Sequence, residues 1–307
     1  MASFGLKVTR AGFGMAERIA PSLAGRVAFE LFCRTPDVNR PTAGERRALA
    51  QAADFMAEAR HHRLNMDRRC IVVHEFRPDP ATMPGRASPG TALVIHGWRS
   101  RTEYMRALIA GLRDVGYKVV SLDLPGHGQS PGRRLNLAVA VQAVRVASDW
   151  FGPFAAVVGH SFGGAVAANA AAGSVRGVPP LAAERLVLIA APGSMPALFA
   201  DFGRMLNVGP RSQDKMARIV ERIAGLPLSQ YTGARQLAEA RIPTLVVHAR
   251  DDREVAASHA ELYASAGDHV RLRWADGLGH RRILGDAGVV QQVVDFVSGS
   301  EAVRVAS

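Results

Sequence analysis

Cysteine is scarce in this chain of 307 residues, which contains only Cys33 and Cys70. Two cysteines cannot build the disulfide framework of a small secreted domain, and these two are not spaced as metal ligands. We therefore expect two buried free thiols in a reducing compartment. We also expect no metal site and no cofactor, because the sequence has no other metal-ligand cluster and no nucleotide-binding glycine pattern.

Lysine is also rare, although the chain is strongly basic. Lysine and arginine together number 38 against 27 acidic residues, a formal net charge of +11, but only Lys7, Lys118 and Lys215 are lysines. The arginines are spread along the chain and do not form the basic block typical of a nucleic-acid-binding protein. The sequence therefore predicts no nucleic-acid partner.

A long hydrophobic run is missing as well. A membrane-spanning helix needs about 20 consecutive apolar residues, and no stretch approaches that length. Near the N-terminus, Arg10, Glu17 and Arg18 interrupt the sequence before the apolar core of a secretory signal forms. We therefore expect a cytoplasmic protein without stable membrane insertion. Its content of 48% hydrophobic and 21% charged residues predicts a globular fold.

A serine at the apex of a strand–turn–helix pattern is the most informative feature of the sequence. Residues 155–158 are apolar and predict a short buried strand, and the small residues after Gly163 predict a closely packed helix. Ser161 lies at the joint, where Gly159 and Gly163 lack the side chains that would collide in so tight a turn. The hydroxyl would therefore be exposed at a helix N-terminus, where backbone N–H groups and the helix dipole stabilise an anion.

Strands and helices alternate over most of the chain. Besides the strand before Ser161, strands are predicted at residues 70–76, 91–95, 118–122, 185–190, 242–248 and 270–274, of which 91–95 and 185–190 are expected to be buried. The last of these alternates in hydropathy like an edge strand. Helical patterns separate the strands, and this alternation requires parallel pairing with right-handed crossovers. In such sheets ligands bind at the carboxyl ends of the strands, where the polar motifs of this chain lie.

Three segments do not follow this alternation. Residues 1–69 are predicted as an N-terminal helical extension of two helices, the second of which begins with a capping box formed by Thr42 and Glu45. Residues 192–242 carry apolar residues at helical spacing and predict a helical insertion. Residues 299–307 are predicted as a loose tail.

The serine turn, Gly159–His160–Ser161–Phe162–Gly163, resembles that of the alpha/beta hydrolase superfamily, in particular its esterase- and lipase-like branch. The resemblance covers about residues 70–298 and implies an α/β fold, with a mostly parallel twisted sheet and helices on both faces. It also implies that the insertion at 192–242 forms a short cap over the active site. A serine at position 161 distinguishes the chain from the dehalogenases and epoxide hydrolases of the superfamily, which have an aspartate there.

A serine hydroxyl needs a base to take its proton, and the base needs an acid to fix its tautomer. The resemblance implies Ser161 as nucleophile and His280, in a glycine-rich loop after the last strand, as base. Asp251 and Asp252 both follow the strand that ends at His248, and the family pattern favours Asp252 as the acid. Three further histidines are predicted to make structural hydrogen bonds in their turns: His96, His127 and His160.

The resemblance also implies an oxyanion hole and a substrate pocket. The backbone N–H groups of Trp98 and Phe162 are the expected oxyanion donors. The ring of Trp98 is expected to shape the acyl pocket. Met195, Phe199 and Phe202 of the insertion are expected to complete that pocket.

Together these features predict a carboxylesterase that cleaves a small or medium apolar acyl ester through an acyl-serine intermediate. Thioesterases, lactonases, C–C hydrolases, acyltransferases and cofactor-free haloperoxidases use the same serine site and remain alternatives. Two further alternatives are a non-catalytic ligand-binding module on the same fold and a protein that associates with a membrane or polyanion through its basic N-terminal region. The sequence determines neither the substrate nor the oligomeric state.

Overall fold

One eight-stranded sheet forms the centre of the molecule in the computed structural model, which describes residues 4–38, 40–67, 69–78 and 88–300. The strands are β1 Arg60–Met66, β2 Arg69–Phe76, β3 Thr91–Ile95, β4 Lys118–Asp123, β5 Ala156–His160, β6 Leu186–Ile189, β7 Thr244–His248 and β8 Val270–Trp274. Their order across the sheet is β1-β2-β4-β3-β5-β6-β7-β8. In this order, the six strands from β4 to β8, which include β3, pair in parallel. Strand β2 pairs antiparallel with both β1 and β4.

Helices cover both faces of this sheet. In chain order they are α1 Phe4–Ile19, α2 Pro21–Phe32, α3 Ala43–Gln51, α4 Ala53–Ala57, α5 Arg106–Asp114, α6 Leu137–Phe151, α7 Phe162–Ala171, α8 Met195–Leu206, α9 Pro210–Ala224, α10 Gly233–Ala240, α11 Ser258–Ala264, α12 Gly279–Arg282 and α13 Ala287–Ser298. Two short 3-10 helices, Thr102–Met105 and Leu228–Gln230, complete the regular structure of the described residues. No helix among them is both long and apolar enough to cross a membrane.

The central strands are apolar along their whole length because both of their faces are buried. Successive side chains of a strand point to opposite faces. Leu93 and Val157 therefore belong to the core formed with α6 and α7, whereas Val94 and Val158 belong to the core formed with α5 and α13. The predicted α/β fold, with a mostly parallel sheet and helices on both faces, is confirmed. The predicted edge position of residues 270–274 is also correct, since β8 is the last strand in the order of the sheet and pairs with β7.

The prediction of an entirely helical segment over residues 1–69 is wrong at its C-terminal end. Arg60–Met66 is strand β1, which pairs antiparallel with β2 at the edge of the sheet. Most of its residues are polar, and only Leu64 and Met66 are buried. Because an edge strand needs few apolar residues, the hydrophobic pattern did not reveal it.

The rest of this segment contains four helices, α1 to α4, where the sequence predicted two. The predicted capping box is present at the start of α3: Thr42 Oγ1 accepts from the Glu45 backbone N–H, and Glu45 accepts from that of Thr42. Both cysteines are free, as predicted, but only Cys33 is buried, whereas Cys70 is half-buried.

The insertion between β6 and β7 folds as α8, α9 and α10. It packs against the N-terminal helices through polar contacts as well as apolar ones. Arg10 of α1 donates to the backbone carbonyls of Arg204 and Met205 at 3.0 and 2.6 Å. Glu17 accepts from the backbone N–H groups of Arg211 and Ser212 at the start of α9, at 2.9 and 3.1 Å. Helices α1 and α2 of the N-terminal extension therefore pack directly on the insertion. The predicted tail lies outside the described residues from position 301 onward.

Candidate active site

Ser161 occupies the sharp turn between β5 and α7. Its backbone has φ 52° and ψ −125°, a left-handed conformation that a side-chain-bearing residue rarely adopts. The turn is possible because its neighbours are glycines: a β-carbon at Gly159 would lie 2.5 Å from the Gly163 carbonyl oxygen. A β-carbon at Gly163 would lie 2.5 Å from the His96 carbonyl oxygen and closer still to that of Ile95. The chain therefore presents the serine hydroxyl on a strained turn above the carboxyl end of the sheet.

His280 lies beside this hydroxyl, although 119 residues separate the two in sequence. Its Nε2 atom is 3.0 Å from Ser161 Oγ. The histidine lies in α12, the short helix that follows β8, and its side chain is 8% exposed. The turn after β5 and the loop after β8 thus bring a hydroxyl and an imidazole within hydrogen-bonding distance.

The carboxylate partner of His280 is Asp252. His280 Nδ1 is 2.7 Å from Asp252 Oδ2, and Asp252 Oδ1 accepts hydrogen bonds from the backbone N–H groups of Glu254 at 2.7 Å and Val255 at 2.9 Å. Asp251 points elsewhere and accepts from the Gly277 backbone N–H at 2.7 Å. Of the two aspartates that the sequence left open, the structure brings Asp252 to the histidine.

The electrostatics of this pair favour an ionised carboxylate. Burial raises the pKa of Asp252, but the hydrogen bonds from His280 and from the backbone of Val255 and Glu254 outweigh it and hold the pKa below its usual 3.8. A carboxylate can only accept, so the proton of a neutral His280 lies on Nδ1. The Nε2 lone pair is then free to accept a proton from Ser161.

The two expected oxyanion donors flank Ser161. Phe162 is the first residue of α7, and its backbone N–H, like that of Trp98, donates no hydrogen bond within the described ranges. The turn that contains Trp98 can approach Ser161 because Gly97 has no side chain: a β-carbon at Gly97 would lie 2.9 Å from Ser161 Cβ. Both unpaired N–H groups therefore belong to turns that meet at the serine, as an oxyanion hole requires.

A cleft of about 970 Å³ opens at Ser161 and His280. Trp98 lines it, as predicted for the pocket, together with Tyr104 and Leu284. Helix α3 of the N-terminal extension forms another wall. The rim carries both signs of charge, from Arg99, Arg106, Arg281, Arg282, Glu45, Glu103 and Glu254.

The other three expected pocket residues do not reach this cleft. Phe199 and Phe202 pack against Phe32 of α2, with ring centroids 4.5 and 5.1 Å apart. Met195 and Phe199 line a separate apolar cavity of about 30 Å³ that Ser161 and His280 do not touch. These three residues of the insertion pack in its interface with the N-terminal helices. The expected pocket is therefore wrong at these positions, and residues of α3 line the cleft instead.

The other histidines make the hydrogen bonds predicted for their turns. His96 Nδ1–H donates to the Gly97 carbonyl at 2.8 Å, and His96 Nε2 accepts from the Leu124 backbone N–H at 3.0 Å. His127 Nδ1 lies 3.2 Å from the Pro125 carbonyl.

The surroundings of His160 link the serine turn to the histidine loop. His160 Nε2–H donates to the backbone carbonyl of His280 at 2.9 Å. Burial lowers the pKa of His160 to about 3, so its ring is neutral near pH 7. The residue before the serine therefore holds the histidine loop in place, a link that no local sequence pattern indicated.

Within the parts of the chain that the structure describes, no group of three or more histidine, cysteine, aspartate or glutamate side chains is arranged to hold a metal ion.

The sequence model of the alpha/beta hydrolase family matches residues 92–292. This match covers well over half of the chain, and the chain belongs to the alpha/beta hydrolase family. A segment of 84 residues is 46% identical to the dihydrolipoyllysine-residue acetyltransferase component of an acetoin cleaving system from Cupriavidus necator. That match covers 26% of this chain and only 22% of the length of that relative.

Solved structures share the fold at low sequence identity. An esterase from Pyrococcus furiosus superposes with a TM-score of 0.61 and 16% identity, over 86% of this chain and 96% of the other. A bacterial membrane phospholipase A superposes with a TM-score of 0.59 and 20% identity, over 83% and 91% of the two chains. Est1E from Butyrivibrio proteoclasticus gives a TM-score of 0.59 at 15% identity, over 80% and 99%. At these identities the likeness concerns the fold.

Proposed function

We propose that the chain is a serine hydrolase that cleaves carboxylic esters through an acyl-serine intermediate. The observation that supports this most directly is the hydrogen-bonded series Ser161 Oγ, His280 Nε2, His280 Nδ1 and Asp252 Oδ2, with contacts of 3.0 and 2.7 Å. Such a series activates a hydroxyl that would otherwise be a poor nucleophile.

In the first half of the reaction, Ser161 Oγ attacks the carbonyl carbon of the ester while His280 Nε2 takes the hydroxyl proton. The oxyanion of the tetrahedral intermediate accepts hydrogen bonds from the N–H groups of Trp98 and Phe162. Each such donor is worth about 10²–10³ in rate. The C–O bond then breaks, and the alcohol leaves with the proton returned by His280.

In the second half, water attacks the acyl-serine. His280 Nε2 takes a proton from the water, the same two N–H groups stabilise the second oxyanion, and the C–Oγ bond breaks. His280 returns the proton to Ser161, and the carboxylic acid is released. Asp252 stays ionised throughout and stabilises the imidazolium that forms in each half.

The cleft supports a substrate of moderate size. Its volume of about 970 Å³ is at the upper end of the ~300–1,000 Å³ typical of small-molecule sites. Trp98, Tyr104, Val255 and Leu284 supply apolar or aromatic surface for an acyl chain. We therefore propose a small or medium acyl ester as the substrate.

The test is turnover of p-nitrophenyl esters of two to eight carbons by the wild type, Ser161→Ala and Ser100→Ala. Ser100 lines the same cleft and its side chain has no assigned role, so it is the matched control. We expect Ser161→Ala to lose at least about 10³-fold in kcat/KM and Ser100→Ala to stay within a few fold of the wild type. Equal rates for the wild type and Ser161→Ala would contradict the proposal.

Transfer of the acyl group to an acceptor other than water is a second candidate. It is favoured by the 84-residue segment that is 46% identical to part of an acetyltransferase component. The acyl-serine intermediate would be the same, but an alcohol or thiol would attack it in place of water. Adding a dithiol acceptor to the ester assay and analysing the products separates the two: acyl-thiol product supports transfer, and free acid alone supports hydrolysis.

A further inference from the structure

Large apolar side chains are exposed on the first two helices. Of the ten exposed large hydrophobic residues in the described ranges, seven belong to α1 and α2. They are Phe4 at 84%, Val8 at 56%, Met15 at 65%, Ile19 at 76%, Leu23 at 61%, Val27 at 44% and Leu31 at 38% exposed. Single exposed apolar residues are ordinary on a protein surface, but a concentration of this kind marks an interaction surface.

On each helix these residues form one stripe. At about 100° per residue, the four on α1 (Phe4, Val8, Met15 and Ile19) fall within an arc of about 60°. The three on α2 are spaced four residues apart and also share one side. We call the two stripes together the outer face of α1 and α2. Phe13 of α1 and Phe29 of α2 are buried and pack into the core on the inner side. Each helix therefore has two apolar sides, of which only the inner one is covered.

The outer face is held by the rest of the molecule and is not a frayed end. The hydrogen bonds of Arg10 and Glu17 to α8 and α9 fix the inner side of α1. Gly25 of α2 packs so closely on α9 that a β-carbon there would lie 2.5 Å from the Ser212 carbonyl oxygen. A shallow apolar groove of about 280 Å³ runs between the two helices, lined by residues such as Ala16, Ala20 and Leu23. The molecule thus displays a fixed apolar surface that includes a groove.

The charges beside the outer face are positive. Lys7, Arg18 and Arg26 are exposed on the same two helices and make no ion pair within the described residues. The one exposed acid that accompanies them, Glu30, pairs with Arg134. A second copy of this chain docked face to face would bring these cations together, in a protein that already carries a formal charge of +11. In an anionic lipid surface, the headgroups would instead pair with the cations, and the boundary with the acyl chains would bury the apolar side chains.

We propose that the outer face of α1 and α2 binds the surface of an anionic lipid bilayer as a peripheral, non-spanning contact. The apolar stripe enters the boundary between headgroups and acyl chains, and Lys7, Arg18 and Arg26 lie at the level of the lipid phosphates. This inference goes beyond the proposed ester hydrolysis and does not depend on it.

The test is sedimentation of the full chain with vesicles of neutral phosphatidylcholine and with vesicles that also contain 30% phosphatidylglycerol. We expect binding to the anionic vesicles, a decrease in that binding as salt is raised, and at least about tenfold weaker binding to neutral vesicles. The double variant Ile19→Gln/Leu23→Gln should weaken binding to anionic vesicles at least about tenfold. Lys7→Gln/Arg18→Gln should remove most of the dependence on lipid charge.

Trp150→Gln is the matched control. Trp150 is also a large exposed apolar side chain, at 68%, but it lies on α6, so this variant should bind vesicles like the wild type. All of the substituted residues are exposed, and circular dichroism will verify the fold of each variant. Because binding is measured without turnover, a failed ester assay does not affect the result.

Two results would overturn the proposal. One is binding to anionic vesicles that Ile19→Gln/Leu23→Gln leaves unchanged. The other is no binding of the wild type to anionic vesicles. If the wild type is then also a dimer in analytical ultracentrifugation and the same double variant dissociates it, the outer face joins two copies of the chain.

Discussion

Replacing Asp252 by asparagine exchanges one carboxylate oxygen for an NH₂ group and so tests the proposed role of this carboxylate beside His280. Asp252 Oδ1 accepts from two backbone N–H groups, those of Glu254 and Val255. In the asparagine variant these two donors select the amide orientation, because only the amide oxygen can accept from them. The amide NH₂ must then occupy the position of Oδ2, which lies 2.7 Å from His280 Nδ1 in the wild type.

An NH₂ group at that position donates to His280 Nδ1 and moves the imidazole proton to Nε2. The imidazole then has no lone pair directed at Ser161 Oγ and cannot take its proton. We expect a loss of about 10³–10⁴-fold in kcat, because an imidazole held in the wrong tautomer cannot act as the base. This corresponds to about 4–5.5 kcal/mol of lost transition-state stabilisation.

Asp251→Asn is the matched control, because it makes the same chemical change one residue earlier. Asp251 accepts from the Gly277 N–H and makes no hydrogen bond to His280 in the part of the chain that the structure describes, so we expect less than about a tenfold change. The assay is the kcat for the best p-nitrophenyl ester, with the melting temperature of each variant measured in parallel. The reasoning is refuted if Asp252→Asn keeps more than a tenth of the wild-type kcat, or if Asp251→Asn loses as much.

Three further predictions follow from the same geometry. His160→Leu should lower kcat about 10–100-fold with little change in KM, because the His280 carbonyl loses its hydrogen-bond donor. His160→Gln should restore part of the lost activity, and full activity in the leucine variant would contradict this prediction. Gly163→Ala should lower the free energy of unfolding by at least about 1–3 kcal/mol, because the new β-carbon would collide with the His96 carbonyl oxygen. An unchanged midpoint in urea unfolding would contradict the close packing of this turn. Because the pKa of Asp252 is lower in the folded protein than its usual 3.8, the ionised carboxylate stabilises the fold above pH 3.8. This stabilisation is lost as the pH falls through the pKa of the folded state. The melting temperatures of the wild type and Asp252→Asn should therefore converge only below about pH 4, and convergence already at pH 6 would argue against an ionised carboxylate.

The serine turn could be predicted from the sequence because its causes are local. The apolar run before Gly159 forms a strand buried on both faces, and the glycines at 159 and 163 are required where backbones approach closely. The resemblance to the alpha/beta hydrolases indicated the histidine and the aspartate, and both residues follow parallel strands, whose carboxyl ends meet at one edge of the sheet. The family pattern favoured Asp252 over Asp251, and the loop geometry of the structure brings Asp252 to His280 and Asp251 to Gly277.

The walls of the cleft could not be predicted, because they depend on contacts distant in sequence. The spacing of Met195 and Phe199 correctly indicated a helix, but the aromatic side chains of α2 determine what those residues face. The capping box at Thr42 located the start of α3, yet nothing in that segment indicated that it borders the cleft. Strand β1 was missed for a related reason: pairing with β2 holds it in place, and its own composition is polar.

Covalent labelling by a fluorophosphonate probe is the most direct test of the central claim that Ser161 is an activated nucleophile. The wild type should gain one adduct mass near pH 8, and peptide mapping should locate it on Ser161. Ser161→Ala should gain none, and His280→Gln should react far more slowly. An adduct on another residue, or equal labelling of the wild type and Ser161→Ala, would contradict the account.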